Sequence, residues 1–89
     1  MKCVHVTIVN KLGMHARASA KFVHLASGFA SSITLARVGR QVNGKSIMGI
    51  MMLAAGTGVE LTLCADGADE DQAITELSQL IADRFGEAD

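Results

Sequence analysis

Apolar and polar side chains alternate from Cys3 to Val9, with Val4, Val6 and Ile8 on one face. Successive strand side chains point to opposite faces, so period two marks a half-buried strand. Asn10 to Met14 reads as a loop. From Ala16 to Ala26 the spacing changes to that of a helix, with Ala16, Ala20, Val23 and either Leu25 or Ala26 turned toward a core. Gly28 supplies its stop signal. Ser32 to Ala36 forms a second strand, Val38-Gly39-Arg40 a tight turn, and Arg40 to Val42 a short third strand. Ser46 caps a short helix over Ile47 to Leu53. Ala54 to Gly58 is a glycine-containing loop, and alternation returns from Val59 to Ala65 as a fourth strand. After an Asp66-Gly67 turn, Asp69 opens a last helix whose first-turn acids suit the helix dipole. Ala73, Ile74, Leu77, Leu80 and Ile81 make its apolar stripe. The order β-α-β-β-α-β-α predicts an α+β fold, one antiparallel sheet with its helices on one face. The other face is then wet, and carries Cys3, His5, Thr7, Thr62 and Cys64.

The 89 residues suffice for one domain, 1–89, with a modest core. A site at the surface or at a helix end fits that size better than a deep closed pocket. With 49% hydrophobic and 19% charged residues the chain is globular. Three Phe and no Tyr or Trp disfavour a nucleic-acid binder that stacks bases on aromatic rings. The net charge of −1 conceals a split: seven Lys/Arg face Glu60 alone in residues 1–65, whereas Arg84 faces eight acids in residues 66–89. A basic body suggests an anionic ligand or an acidic partner. No long apolar run suggests a signal peptide or membrane span. Cys3 and Cys64 have neither CxxC nor zinc-ligand spacing, and are expected as reduced thiols of a cytoplasmic protein. No metal or cofactor is expected.

The chemistry concentrates at Gly13-Met14-His15-Ala16-Arg17-Ala18-Ser19, where a loop becomes a helix. A helix start presents unpaired N–H groups and a partial positive charge, and so attracts anions. The dipole disfavours a cationic ring, leaving His15 a neutral nucleophile. A phosphoryl group on it would lie against the amides of Ala16, Arg17 and Ala18, with the Arg17 guanidinium forking onto its oxygens. Each charge-assisted hydrogen bond is worth about 1.5–3 kcal/mol, enough to hold a labile phosphohistidine without trapping it. A histidine in this place is otherwise an ordinary cap or a solvated side chain.

A second constellation is Asn43-Gly44-Lys45-Ser46-Ile47-Met48-Gly49-Ile50-Met51-Met52. Ser46 as a helix cap is commonplace, yet a phosphate on its Oγ would suit the dipole and reverse the sign of a basic surface. Ile47, Met48, Met51 and Met52 cannot all turn inward on a two-turn helix, so part of this flexible apolar surface is expected in solvent. Gly39 to Ser46 also spells GxxxxGK[ST], the phosphate-cradling loop of nucleotide binders. Val42 in a short strand and the small size of the chain argue against that reading. His5 and His24 have no partner chemistry.

Asn10-Lys11-Leu12-Gly13-Met14-His15-Ala16-Arg17-Ala18-Ser19 and Asn43-Gly44-Lys45-Ser46-Ile47-Met48-Gly49-Ile50-Met51 resemble the two signature regions of HPr, the histidine phosphocarrier family of the bacterial sugar phosphotransferase system. The likeness runs over nearly the whole chain. It implies an open-faced β-sandwich, with a four-stranded antiparallel sheet covered on one face by three helices. It implies that His15 accepts a phosphoryl group on Nδ1 from phospho-enzyme I, charged from phosphoenolpyruvate, and passes it to an enzyme IIA domain. Arg17 matches the arginine that assists transfer, and Ser46 the site of the HPr kinase/phosphorylase. Ile47, Met48, Met51 and Met52 match the partner-docking patch, with Ala16 and Ala20 beside it. Such a protein is a carrier rather than an enzyme, is expected as a monomer, and binds neither nucleic acid nor membrane. The family's pairing of first and fourth strands would bring Cys3 and Cys64 together. Ala18 stands where the family usually has Pro, a variant shared with nitrogen-regulatory relatives. A nitrogen-branch or purely regulatory carrier, acting on a kinase or transcription regulator, is therefore the alternative.

Overall fold

The computed structural model describes residues 1–88. Strand β1 spans Lys2–Thr7, helix α1 Ala16–Ala26, β2 Ser32–Arg37, β3 Arg40–Asn43, α2 Ile47–Met51, β4 Glu60–Asp66 and α3 Glu70–Ala82. A single 3-10 turn, Arg84–Gly86, follows. The strands form one antiparallel sheet in the order β1-β4-β2-β3. The predicted element order and layering therefore hold, with helix and strand ends shifted by one or two residues.

Alternation decides what each strand contributes. Leu61, Leu63 and Ala65 of the central β4 and Ile33 and Leu35 of β2 are buried. Cys3, His5 and Thr7 of β1 stay exposed on the uncovered face. There Thr62 Oγ1 lies 3.3 Å from His5 Nδ1. On the covered face α3 packs over β1 and β4, and α1 meets α2 and α3. Ala73, Ile74, Leu77 and Ile81 of α3 complete the core, as their stripe predicts; Leu80 is half-buried.

Helix α1 departs from expectation. Ala26 is buried and Val23 packs half-buried against the core as expected, but Ala16 and Ala20 are exposed, and Ala18, Ser19 and Phe22 complete the buried face. Alanines lie all round this helix, so their spacing gives no phase. Phe22, the largest apolar side chain it carries, sets the rotation because its burial outweighs that of any alanine. The buried Ser19 hydroxyl is satisfied by the Met14 carbonyl at 3.1 Å.

The cysteines also depart from it. Rather than free thiols, Cys3 and Cys64 form a disulfide. The β1–β4 register sets them directly opposite one another on the same face, with Cα atoms 4.1 Å apart.

Much of the positive charge is spent inside the chain. Arg37 Nη1 donates to the Leu53 carbonyl (2.7 Å) and Arg40 Nη1 to that of Met52 (2.5 Å). Both satisfy carbonyls left open at the end of α2. Lys45 Nζ donates to Phe29 O and Lys21 Nζ to Phe85 O, each at 2.7 Å. Asp69, expected to start α3, does so without a side-chain cap. Its carboxylate accepts from Ser31 Oγ and from the Ala30 and Ser31 amides, and these bonds hold its pKa below the ordinary value. The charge split is therefore less a binding surface than a set of internal ties.

Candidate functional site

The loop before α1 is fixed from several sides. Gly13 adopts φ +65, and a Cβ there would stand 2.6 Å from the Ala55 carbonyl and 2.8 Å from Gly56 Cα, so both conformation and space demand glycine. Met14 N–H donates to Ala55 O at 2.9 Å, and Thr57 Oγ1 to Asn10 O at 2.6 Å. His15 leaves this brace with extended backbone (φ −72, ψ 178) as the N-cap of α1, its side chain making no cap bond. The first amide closed by the helix is that of Ser19, onto His15 O at 2.9 Å. The amides of Ala16, Arg17 and Ala18 precede it and have no intrahelical acceptor. No acid lies in the first turn of α1.

His15 is 28% exposed, at the edge of an open depression of about 570 Å³ lined by Lys11, Leu12, His15, Arg17, Glu87 and Ala88. Among the described residues Lys11 and Arg17 enter no ion pair. Lys11, Arg17 and the His15 imidazole thus border one open hollow, and the amides of Ala16, Arg17 and Ala18 follow His15 at the start of α1.

One of its walls is acidic. His15 Nε2 lies 2.5 Å from Glu87 Oε2. The other oxygen, Oε1, accepts from Asn10 Nδ2 at 3.0 Å. These two hydrogen bonds, His15's first, hold the Glu87 carboxyl below the usual carboxylate range. No Asp or Glu precedes Glu60 in the chain, so none is near His15 in sequence; the fold supplies one from 72 residues away. Asn10 read simply as a loop residue, and Glu87 as part of an acidic tail. Leu12, 67% exposed in the same hollow, was likewise not singled out.

Ser46 lies at the predicted N-cap of α2, its Oγ accepting from Gly49 N–H at 3.0 Å. The hydroxyl therefore has a structural task, and retains its own proton. Beyond it Met48 (72%), Met52 (59%), Met51 and Ile47 reach solvent, as two short turns require. Ala16 and Ala20 are exposed on α1, against which α2 packs. The Gly39–Ser46 segment is no phosphate loop. Its middle, Arg40–Asn43, is β3, with its backbone in the ladder to β2.

Fold and site together define a small phosphocarrier protein. Residues 3–83 match the PTS-HPr family model, described as the PTS HPr component phosphorylation site. The phosphocarrier protein HPr of Cupriavidus necator is 59% identical over 83 residues, 93% of each chain. The crystal structure of HPr-C-His from Thermoanaerobacter tengcongensis superposes with a TM-score of 0.94 at 48% identity, covering 98% of both chains. Bacillus subtilis Crh, described as a catabolite repression protein and as a swapped dimer, matches at 44% identity and a TM-score of 0.76 over 83% of this chain and 85% of its own. The chain belongs to the HPr family of phosphocarrier proteins.

Proposed function

We propose that this protein carries a phosphoryl group on His15 Nδ1, accepting it from phospho-enzyme I and delivering it to an enzyme IIA domain. The observation that carries the reading is the imidazole at the start of α1, whose Nδ1 makes no hydrogen bond among the described residues and which precedes three amides with no intrahelical acceptor. In transfer the Nδ1 lone pair forms the new N–P bond as phosphorus leaves the donor, and the reverse exchange loads the acceptor. The Ala16, Arg17 and Ala18 amides and the Arg17 guanidinium take up charge on the phosphoryl oxygens. Lys11 adds a second cation at the rim. Ile47, Met48, Met51 and Met52, with Ala16 and Ala20, form the docking surface in this reading. Methionines suit such a surface because they adapt to differently shaped partners. In this reading the working unit is the monomer.

Incubation with enzyme I and phosphoenolpyruvate should give an acid-labile, base-stable phosphoprotein with a single imidazole-bound signal in ³¹P NMR. His15→Ala should carry none. Retention of the label by that variant would refute the assignment.

A regulatory role for Ser46 is favoured by its half-exposed hydroxyl at the head of the docking helix. An HPr kinase/phosphorylase would be its partner. A phosphate there adds about −1.5 to −2 charges beside the docking surface, which repels an acidic partner. Ser46→Asp, carrying part of that charge, should slow phosphorylation by enzyme I several-fold at low salt. Equal rates for the two proteins would remove Ser46 from the regulatory reading.

A further inference from the structure

The acid against His15 lies on the nitrogen that the proposed transfer does not use, and its other oxygen is separately held. We infer that Glu87, clamped by Asn10, is a positioning residue that fixes the His15 tautomer with its proton on Nε2 and so presents the Nδ1 lone pair to phosphorus.

Asn10 is completely buried. Its Nδ2 donates to the Gly13 carbonyl at 2.8 Å, an acceptor that cannot reverse its role. That bond fixes which end of the amide faces Glu87, so the second Nδ2 hydrogen goes to Oε1 at 3.0 Å. Among the described residues the Asn10 Oδ1 has no hydrogen-bond partner. The tail that brings Glu87 is anchored too: Phe85 is buried two residues earlier, and Lys21 Nζ holds its carbonyl. With Oε1 engaged, Oε2 faces His15 Nε2 at 2.5 Å. An ionised carboxylate has no proton to give, so the ring must donate from Nε2. In the neutral ring Nδ1 is then the unprotonated nitrogen, and it has no hydrogen-bond partner among the described residues. As Nδ1 attacks phosphorus the ring gains positive charge, and the carboxylate stabilises that charge without taking the Nε2 proton. This role rests on His15 being the phosphoryl acceptor, but the tautomer itself does not.

The clamp makes an unusual prediction for Glu87→Gln. Asn10 Nδ2 still requires an oxygen, so the new amide turns its NH₂ toward His15 Nε2. The ring must now accept there, and its proton moves to Nδ1, masking the nucleophile. Glu87→Gln is therefore expected to be worse than Glu87→Ala, which merely frees the ring. Ring ¹⁵N spectra of the unphosphorylated proteins should show Nε2–H in the wild type, Nδ1–H in Glu87→Gln and a mixture in Glu87→Ala. Phosphorylation by enzyme I should slow about tenfold or more in Glu87→Gln, as expected for a ring held in the wrong tautomer, and less in Glu87→Ala. An Nδ1–H wild type, one tautomer throughout, or a rate order that does not follow the tautomers would each overturn the proposal. The ring spectra need no phosphoryl donor. A wild type that shows Nε2–H yet takes no phosphate would refute the carrier reading instead.

Discussion

Phe85→Ala should lower stability by about 3–5 kcal/mol, the range for emptying a buried aromatic site. Phe85 is only 1% exposed although it lies in the last described turn. Its backbone and that of Arg84 adopt left-handed conformations, with φ 55 and φ 57. Such conformations cost non-glycine residues about 1–2 kcal/mol each, and the buried ring together with the Lys21 bond to Phe85 O holds them. The turn touches both α1 and α3, so the ring seals the end of the layer they form. Urea unfolding should show a lower midpoint with an unchanged slope. A loss below about 1 kcal/mol, well under the emptied-aromatic range, would mean that backbone contacts alone dock the tail. The variant carries a second consequence. Glu87 follows Phe85 by two residues, so releasing the ring should also release the carboxylate from His15. The His15 ring spectrum should then move toward that of Glu87→Ala while the rest of the fold persists.

The elements of this fold are legible in the chain because each rests on a local pattern. Leu61, Leu63 and Ala65 alternate with Glu60, Thr62 and Cys64, and the structure buries only the first set completely. The α3 stripe is equally plain, as Ile74, Leu77 and Ile81 are large and its outer face is polar. Helix α1 was misread at Ala16 and Ala20 for a physical reason: swapping one alanine for another changes buried area too little to set a rotation, and Phe22 decides it. His15, Arg17 and Ser46 were legible because helix ends have local signals, a loop glycine in one case and a capping hydroxyl in the other. Glu87 had no such signal. Its meeting with His15 depends on where α3 ends, on the Phe85 plug and on the orientation of Asn10, none of which a local spacing encodes. The charge split was visible, but its use was not. Arg37, Arg40 and Lys45 end on backbone carbonyls, whereas Lys11 and Arg17, indistinguishable from them in a count, face the hollow.

Reduction of the Cys3–Cys64 bond should cost about 4 kcal/mol on loop-closure grounds, given the 61-residue separation it spans. The bond encloses β1 through β4 and leaves α3 outside. Its loss therefore widens the unfolded ensemble while the native core keeps every apolar contact. Strand β1 is an edge, paired with β4 alone, so its amides should exchange faster once the cross-link is gone. A Cys3→Ser/Cys64→Ser double variant should match the reduced wild type, and the oxidised protein should lie above both in urea. Thiol titration of the denatured, unreduced protein should find no free thiol. Equal midpoints with and without reductant, or free thiols in the unreduced sample, would show that register alone holds the strand. Phosphorylation of His15 should be indifferent to the change wherever both forms are folded. The sulfurs lie on the uncovered face of the sheet, whereas the amides and cations around His15 belong to the helical layer and its loops.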